Sequence, residues 1–470
     1  MYSLKIYNTL SDKKELLKPI KSKKINLFVC GPTVYDYSHI GHARVSVIFD
    51  CFVKYLKSIG FDVFFLQNIT NIDDKIIARA REKGVSAKDL SFAFEKEYLK
   101  DMKNIGATSV SKYARATDYI KEIISQAKRL IDKDYAYEIS EDGIYFDISK
   151  FKDYGKLAGR TALDAEDSVS RIDYSKNKRN RGDFCLWKFQ QEESEPSWPS
   201  PFGKGRPGWH IEDTAITEKF FGPQYDIHGG GRDLIFPHHE AEISQMEAIS
   251  GKKPLVKYWM HIGFLTVNGQ KMSKSLNNFI TIKDFIRRYP VNYLRFFIVK
   301  NLWSSPLDYS DSVMVETKLT MERIEEFLRK IRSTKSEIRN KFKIPNSKLI
   351  LKFKTDFYKE LNDNFNTPKA FAAMFDFIKS ANDLLDKNLV SKKQAEEVYK
   401  FFEEINKVFG IIDFKKINRA IPAKIKKLAK DREKFRKKQE WAKADQARAE
   451  IEKQGFAIED TKDGAVVKFI

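Results

Sequence analysis

The chain has 470 residues, about three times the usual domain length, so we expect two to four domains. Its 85 Lys and Arg outnumber 65 Asp and Glu, and the resulting formal charge of +20 suggests a polyanionic partner. Only three cysteines occur, and no signal peptide or membrane-spanning apolar run is found. These features argue against a secreted, disulfide-stabilised protein and predict a cytoplasmic one.

The N-terminal part of the chain has the pattern of an α/β fold. Residues 24–30 (KINLFVC) predict a buried strand, the stretch from Ile40 to Gly60 predicts a helix, and residues 61–70 predict a second strand. Strand, helix and strand over this length form a βαβ unit, which is expected to be parallel and right-handed. Further helices are predicted to begin near three N-capping residues, Asp73, Ser86 and Thr117.

The pattern changes in the middle of the chain. Residues 110–205 contain a short predicted strand at 143–149, a basic polar loop and a stretch rich in Pro and Gly, so we interpret them as an insertion. The α/β pattern resumes at 225–251 with a strand, a glycine turn and a helix. Asn268-Gly269 then lies between apolar runs, which predicts a hairpin.

The C-terminal part is predicted to be mostly helical. Residues from about 315 to 412 predict a helical bundle. Residues 422–438 hold nine Lys or Arg and two acids, which fits either a solvated helix or a surface for nucleic acid. A final hairpin is predicted to turn at Asp463-Gly464.

The seven histidines fall into two groups, two at 39–42 and five at 210–261. The first group, His39-Ile40-Gly41-His42 (HIGH), lies at a predicted helix start, where free N–H groups and the helix dipole favour a phosphate. Gly41 would let a base or ribose approach the backbone. The segment KMSKS (271–275) carries Lys271 and Lys274, which could bring positive charge to a polyphosphate. Either motif alone could be an ordinary surface feature, but both in this order are far more specific.

These motifs resemble those of the class I aminoacyl-tRNA synthetases. The segments FVCGPTVYDYSHIGHAR, QNITNIDDKII, GWHIED, DIHGGGRDLIFPHHEAE and NGQKMSKSLNN are similar to cysteinyl-tRNA synthetases, in the order found in that family. The resemblance implies a Rossmann-type α/β catalytic domain with an insertion, an α-helical bundle domain on the anticodon side and a small C-terminal α+β domain. We assign these to residues 1–312 (insertion about 110–205, KMSKS region about 262–312), 313–415 and 416–470.

The resemblance also implies the reaction and its site. The chain would activate L-cysteine with ATP and transfer it to the 3′-terminal adenosine of tRNA(Cys), with Mg²⁺ accompanying ATP, and it would act as a monomer. His39, His42, Lys271 and Lys274 would act in catalysis. ATP would be bound by residues of both motifs and of the HGGGRD segment, namely His39, Gly41, His42, Gly229, Gly230, Asp233 and Lys274. Thr70 and Trp209 match family positions that line the cysteine pocket.

A zinc site is implied as well, and here the sequence departs from its family. The family pattern of two Cys, one His and one Glu corresponds to Cys30, Asp213, His238 and Glu242. Asp213 replaces the second cysteine. Carboxylate oxygen is an acceptable zinc ligand, so we expect one Zn²⁺ per chain, with weaker selectivity for a thiol. The alternative is a site without metal, in which Cys30, His238 and Trp209 hold the substrate thiol.

Three other functions are compatible with parts of this pattern. A related cysteine ligase that acts on an amino-sugar would share the activation site but would not need the long C-terminal region. A non-catalytic tRNA-binding protein would be expected to have eroded HIGH or KMSKS segments, and both are intact. A simple nucleotidylyltransferase would explain neither the helical region nor the candidate metal ligands.

Overall fold

The computed structural model describes residues 3–159, 175–273, 276, 278–334, 346–419, 422–461 and 464–469. Contacts divide the chain into two compact units, residues 1–412 and residues 413–470. The strands in chain order are β1 (Lys5–Asn8), β2 (Lys13–Leu16), β3 (Lys24–Val29), β4 (Asp62–Ile69), β5 (Lys112–Arg115), β6 (Ala136–Ile139), β7 (Gly143–Phe146), β8 (Phe184–Phe189), β9 (Gly205–Pro207), β10 (Tyr225–Gly231), β11 (Val256–Ile262), β12 (Leu265–Val267), β13 (Gln270–Lys271), β14 (Leu307–Tyr309), β15 (Phe456–Thr461) and β16 (Gly464–Phe469).

The α-helices are α1 (Ile40–Ser58), α2 (Asp74–Lys83), α3 (Ala87–Asn104), α4 (Ile120–Asp132), α5 (Ile211–Phe221), α6 (Glu240–Ser250), α7 (Ile282–Arg288), α8 (Val291–Val299), α9 (Asp311–Ser333), α10 (Asn346–Asn362), α11 (Thr367–Asp386), α12 (Lys392–Phe409), α13 (Phe414–Asn418), α14 (Ala423–Lys437) and α15 (Trp441–Lys453). Short 3₁₀ or π turns cover Ala116–Tyr119, Ile148–Lys150, Arg232–Leu234 and Ile235–His239. Within the part of the chain described, no helix is both long and apolar enough to span a bilayer.

The core of the first unit is a five-stranded sheet with the order β11-β10-β3-β4-β5, in which every neighbouring pair is parallel. From β3 the chain moves outward through β4 and β5, and later returns to β10 on the other side of β3. The strand order therefore reverses between β3 and β10. In such sheets the crevice beyond the carboxyl ends of these two strands is the usual ligand position. The predicted Rossmann-type α/β fold is confirmed.

Local sequence explains where the helices of this unit begin. Asp73 and Ser86 accept hydrogen bonds from backbone N–H groups of the first turns of α2 and α3, as their predicted capping roles require. Near Thr117 the predicted helix is preceded by a 3₁₀ turn, so α4 itself begins at Ile120. The Asn268-Gly269 hairpin is confirmed, because both residues have positive φ between the antiparallel strands β12 and β13.

The segment predicted as an insertion contains more than one kind of structure. Its first strand, β5, pairs with β4 and completes the central parallel sheet, so this part belongs to the α/β core. Strands β6 to β9 form a separate four-stranded antiparallel sheet, because each pairs with its neighbour in chain order. The proposed domain boundaries at 312 and 415 remain predictions.

The helical region is held by aromatic packing. α9 to α12 bury a cluster of phenylalanines, including Phe353, which stacks on Phe377 with ring centroids 4.5 Å apart. In the second unit, α14 and α15 pack on the hairpin β15–β16 around Ile425, Ile451 and Phe456. The pairing of Thr461 with Gly464 confirms that hairpin, while its turn at 462–463 lies outside the described residues.

Candidate active site and metal centre

The candidate site lies where β3 and β10 end side by side. Cys30 directly follows β3, and its backbone N–H donates to the carbonyl of Gly229 in β10, at 3.1 Å. The loop after Cys30 leads to α1, which begins at Ile40. The topology thus brings the first histidine group, the glycines of β10 and Cys30 to one edge of the sheet.

The HIGH histidines form the N-terminal cap of α1. His39 is the N-cap residue and its Nδ1 accepts from the Gly41 N–H at 3.0 Å, while His42 Nδ1 accepts from the His39 N–H at 3.3 Å. The two rings stack with centroids 3.8 Å apart. Burial lowers the pKa of His39 to about 2, assisted by His42, and lowers the pKa of His42 to about 4. Because each neutral ring uses Nδ1 as an acceptor, its proton resides on Nε2, which is left as a donor.

The chain that follows KMSKS is bound to the start of α1. The Ile40 N–H donates to the Ile280 carbonyl at 3.0 Å, and the Ile282 N–H donates to the Ser38 carbonyl at 2.9 Å. These bonds form a short antiparallel bridge beside His39. The methyl group of Met272 lies 3.7 Å from the position of a Cβ built on Gly41. The two motifs are therefore neighbours, although 228 residues (43–270) lie between them in the sequence.

The predicted lysines differ in what the structure describes. Lys271 is exposed at the end of β13. Lys274 lies outside the described residues, so its predicted contact with ATP stays a prediction.

The prediction of a glycine turn in HGGG is wrong. Gly229 and Gly230 lie within β10, and Gly231 is its last residue. A Cβ on Gly229 would be 2.1 Å from Cζ of Phe49, and one on Gly230 would be 2.9 Å from Cε1 of His239. Side chains of α1 and of the turn before α6 thus occupy the space that these glycines leave.

Asp233 follows β10 on the 3₁₀ turn and is exposed. Its side chain is therefore accessible to solvent at the carboxyl edge of the sheet. The predicted nucleotide contacts of Asp233 and of the two glycines remain predictions.

The four predicted metal ligands converge. Donor atoms of Cys30, Asp213, His238 and Glu242 all lie within 4.8 Å of one another. His238 Nε2 is 3.0 Å from Asp213 Oδ2 and 3.3 Å from Glu242 Oε1, and Cys30 Sγ is 3.9 Å from the same Glu242 oxygen. Asp213 comes from α5 and Glu242 from α6, and His238 lies in the π turn that precedes α6.

The charges of this cluster fit a bound cation. Burial and the nearby Asp213 and Glu242 raise the pKa of the Cys30 thiol, and burial with Asp213 and Glu212 raises that of Glu242. Asp213 Oδ1 and Glu242 Oε2 are buried without a hydrogen-bond partner. Unpartnered buried carboxylate oxygens are costly, and a metal ion would both satisfy them and favour the thiolate. One sulfur, one nitrogen and two oxygens form an acceptable zinc donor set, so this buried cluster could hold a metal.

Four more histidines lie around the predicted ligands, and no individual role was predicted for them. His228 and His239 place Nε2 at 3.3 and 3.1 Å from Cys30 Sγ. His210 and His261 contact His238 and His239 through ring nitrogens, at 2.8 Å in both cases. All five histidines of the second sequence group are therefore in one buried cluster. Their grouping in the sequence was the signal that could have identified them.

The two predicted pocket residues lie beside this cluster. The Trp209 ring is 4.5 Å from the His238 ring, centroid to centroid. The Thr70 hydroxyl is buried and donates to Glu212, a residue that the sequence analysis did not identify. Burial and the adjacent Asp213 raise the pKa of Glu212. No motif or hydrophobic periodicity in the sequence marks a buried carboxylate of this kind, so it is recognised only in the tertiary structure.

Comparison with known proteins agrees with this geometry. The family described as "tRNA synthetases class I (C) catalytic domain" matches residues 16–319, and the DALR domain family matches residues 356–413. A protein of Thermococcus gammatolerans named "Cysteine--tRNA ligase" is 42% identical over 100% of this chain and 99% of its own. Proteins of the same name are 42% identical in Thermoplasma volcanium (98% and 99% covered) and 40% identical in Thermodesulfovibrio yellowstonii (99% and 99%).

The fold also matches a solved structure. The Mycobacterium tuberculosis methionyl-tRNA synthetase in complex with methionyl-adenylate has a TM-score of 0.62 over 82% of this chain and 88% of that one, at 14% identity. That similarity supports the fold alone. The relatives named here do not support an amino-sugar ligase or a non-catalytic protein. With similarity extending from end to end and both class I motifs adjacent in space, the chain belongs to the cysteine–tRNA ligase family of class I aminoacyl-tRNA synthetases.

Proposed function

We propose that this enzyme activates L-cysteine and attaches it to tRNA(Cys). The cysteine carboxylate attacks the α-phosphorus of ATP, the bond to the β-phosphate oxygen breaks, and pyrophosphate leaves as cysteinyl-adenylate forms. The ribose hydroxyl of the terminal adenosine of the tRNA then attacks the acyl carbon, and AMP leaves. The observation that carries this proposal is the end-to-end similarity to cysteine–tRNA ligases.

Activation needs no protein nucleophile, so we assign catalysis to positioning and charge stabilisation. The free Nε2–H groups of His39 and His42 project from the N-terminus of α1 as two preorganised donors to phosphate oxygens. Since both rings are neutral, they stabilise developing charge by hydrogen bonding. The permanent positive charge comes from Lys271 and Lys274, and from Mg²⁺ carried in with ATP.

The nucleotide is placed over the carboxyl ends of β3 and β10. Gly41, Gly229 and Gly230 offer backbone without protruding side chains, and the exposed Asp233 accepts from a ribose hydroxyl.

We propose Zn²⁺ as the resident metal, held by Cys30 and Glu242 together with Asp213 and His238. When bound, zinc would ligate a cysteine thiolate strongly and a serine hydroxyl weakly, which an apolar pocket could not achieve alone. Trp209 packs beside His238 and forms one wall of the pocket. The hydrogen bond from Thr70 fixes Glu212 next to Asp213, so it orients the ligand-bearing end of α5.

The tRNA is proposed to contact the helical region and the basic C-terminal unit. On α14, Lys426, Lys427 and Lys430 are exposed and available to phosphates. Their joint replacement by Ala should lower the slope of log affinity against log salt by up to ~3, with cysteine activation unchanged. An unchanged slope would exclude these three lysines from the interface. We also propose a monomer that acts in the cytoplasm, with domains divided near residues 312 and 415.

The decisive experiment is aminoacylation of tRNA(Cys) with labelled cysteine and, in parallel, labelled serine. We expect ATP-dependent formation of cysteinyl-tRNA and only trace seryl-tRNA, and a tRNA of another specificity serves as the control substrate. Cysteine-dependent pyrophosphate exchange without any charged tRNA would overturn the transfer step and favour an amino-sugar acceptor. Equal charging with serine would overturn the proposed role of the metal.

A further inference from the structure

Cys30 and Glu242 belong to two overlapping sets of potential ligands. The first set adds Asp213 and His238, as proposed above. The second set adds His228 and His239, and its four donor atoms also lie within 4.8 Å of one another. A tetrahedral zinc ion with bonds of ~2.0–2.3 Å places its donor atoms ~3.3–3.8 Å apart. The observed separations of Cys30 Sγ from the His228 and His239 Nε2 atoms, 3.3 and 3.1 Å, are close to that range.

The two additional imidazoles are oriented as metal ligands usually are. Each has Nε2 directed at Cys30, while its Nδ1 has a separate partner: the Tyr225 hydroxyl at 2.6 Å for His228, and His261 Nε2 at 2.8 Å for His239. His261 is in turn held by Thr9, at 2.7 Å. Such contacts to the second ring nitrogen fix the tautomer and leave Nε2 free for a cation. Orientation, as well as proximity, thus distinguishes this set from a chance cluster.

The second set also has the softer donor atoms. It offers one sulfur, two imidazole nitrogens and one carboxylate, whereas the first offers one sulfur, one nitrogen and two carboxylates. Zinc favours imidazole and thiolate over carboxylate, so the presence of Asp213 weakens the first set relative to the second. Glu242 can serve either set, because it has two buried oxygens. Oε1 faces His238 at 3.3 Å. Oε2 has no hydrogen-bond partner and lies 3.6 Å from His228 Nδ1, the nitrogen that contacts Tyr225.

We infer that one divalent ion can occupy either of two overlapping positions in this chain, and that His228 and His239 are its ligands in the second. The inference rests on the proposed metal site but is independent of the proposed reaction. It makes Asp213 dispensable for metal binding, provided that His239 is present.

The test compares zinc content and Co²⁺ absorption in the full-length, untagged chain and its variants. Asp213→Ala should retain ~1 zinc per chain and, with Co²⁺, the thiolate charge-transfer band of Cys30. Asp213→Ala combined with His239→Gln should fall below ~0.2 zinc per chain, because neither set is then complete. The matched control combines Asp213→Ala with Glu240→Gln, which alters a neighbouring buried carboxylate that is in neither set and should keep the metal.

Thermal unfolding and near-ultraviolet circular dichroism establish that each variant is folded. If His239→Gln prevents folding in the double variant, His228→Gln in the same background tests the same set. The inference is overturned if folded Asp213→Ala contains no zinc, or if both histidine double variants keep a full complement. Wild-type protein that binds neither Zn²⁺ nor Co²⁺ would overturn the metal site itself, while the charging assay reports on the reaction separately.

Discussion

Gly41 offers the sharpest test of the role assigned to the HIGH histidines. A Cβ at this position would lie 2.7 Å from Cε1 and 2.8 Å from Nδ1 of His39, whereas ordinary contacts begin at 3.4 Å. In Gly41→Ala the His39 ring must therefore retreat by about 0.7 Å. It is hindered by His42, stacked at 3.8 Å, and by the edge of Phe279 at 5.2 Å between centroids.

The change should affect activity much more than stability. Loss of the bond from the Gly41 N–H to His39 costs about 1 kcal/mol, as for other N-caps, while Ala is favoured over Gly in a helix by up to about 1 kcal/mol. These contributions roughly cancel. Displacement of a phosphate donor by nearly 1 Å, in contrast, should lower kcat/KM for cysteine activation by about 10- to 100-fold.

The assay is cysteine-dependent ATP–pyrophosphate exchange, measured beside urea unfolding. The matched control is Gly60→Ala, just beyond the opposite end of α1, where φ is +97° and no atom lies within 4 Å of the added Cβ. It should cost roughly 1–2 kcal/mol of stability with little change in exchange. Exchange by Gly41→Ala within about 3-fold of wild type would refute the positioning argument.

Three further predictions concern charge. Lys274→Ala should slow pyrophosphate exchange by ~10²-fold, since one transition-state donor is lost, and near-normal exchange would remove this residue from the mechanism. Arg295→Met should lower the free energy of urea unfolding by about 3–5 kcal/mol. The reason is that the buried guanidinium donates to Asp50 and to the Phe409 and Ile105 carbonyls. A loss below about 1 kcal/mol would contradict this reasoning. The pKa of His42, lowered to about 4 by burial, keeps the folded ring neutral where the unfolded ring, with a pKa of about 6.5, takes up a proton. The stabilisation that the neutral His42 ring provides is therefore complete above pH 6.5 and is lost as the pH falls to about 4. In His42→Gln, the urea midpoint should accordingly decrease less between pH 7 and pH 5 than it does in the wild type.

Local patterns were sufficient for most helices and strands. The start of α1 at Ile40 follows from the apolar period and a polar N-terminal residue, and both signals lie within a few residues. The prediction of a turn at the glycine segment of β10 was wrong for the opposite reason. Three consecutive glycines have the local preference of a turn, but β3 and β11 pair with this strand on both sides and keep it extended.

Residue identity and spacing alone indicate the family, the order of the motifs and the four predicted metal ligands Cys30, Asp213, His238 and Glu242. The return of β10 to the side of β3 is visible only in the fold, since parallel pairing joins segments about 200 residues apart and no local pattern marks it. That adjacency brings His228 and His239 to Cys30 and so assembles the second set of potential ligands. Residue types thus indicate the chemistry, while the strand order determines which side chains lie close enough to act together.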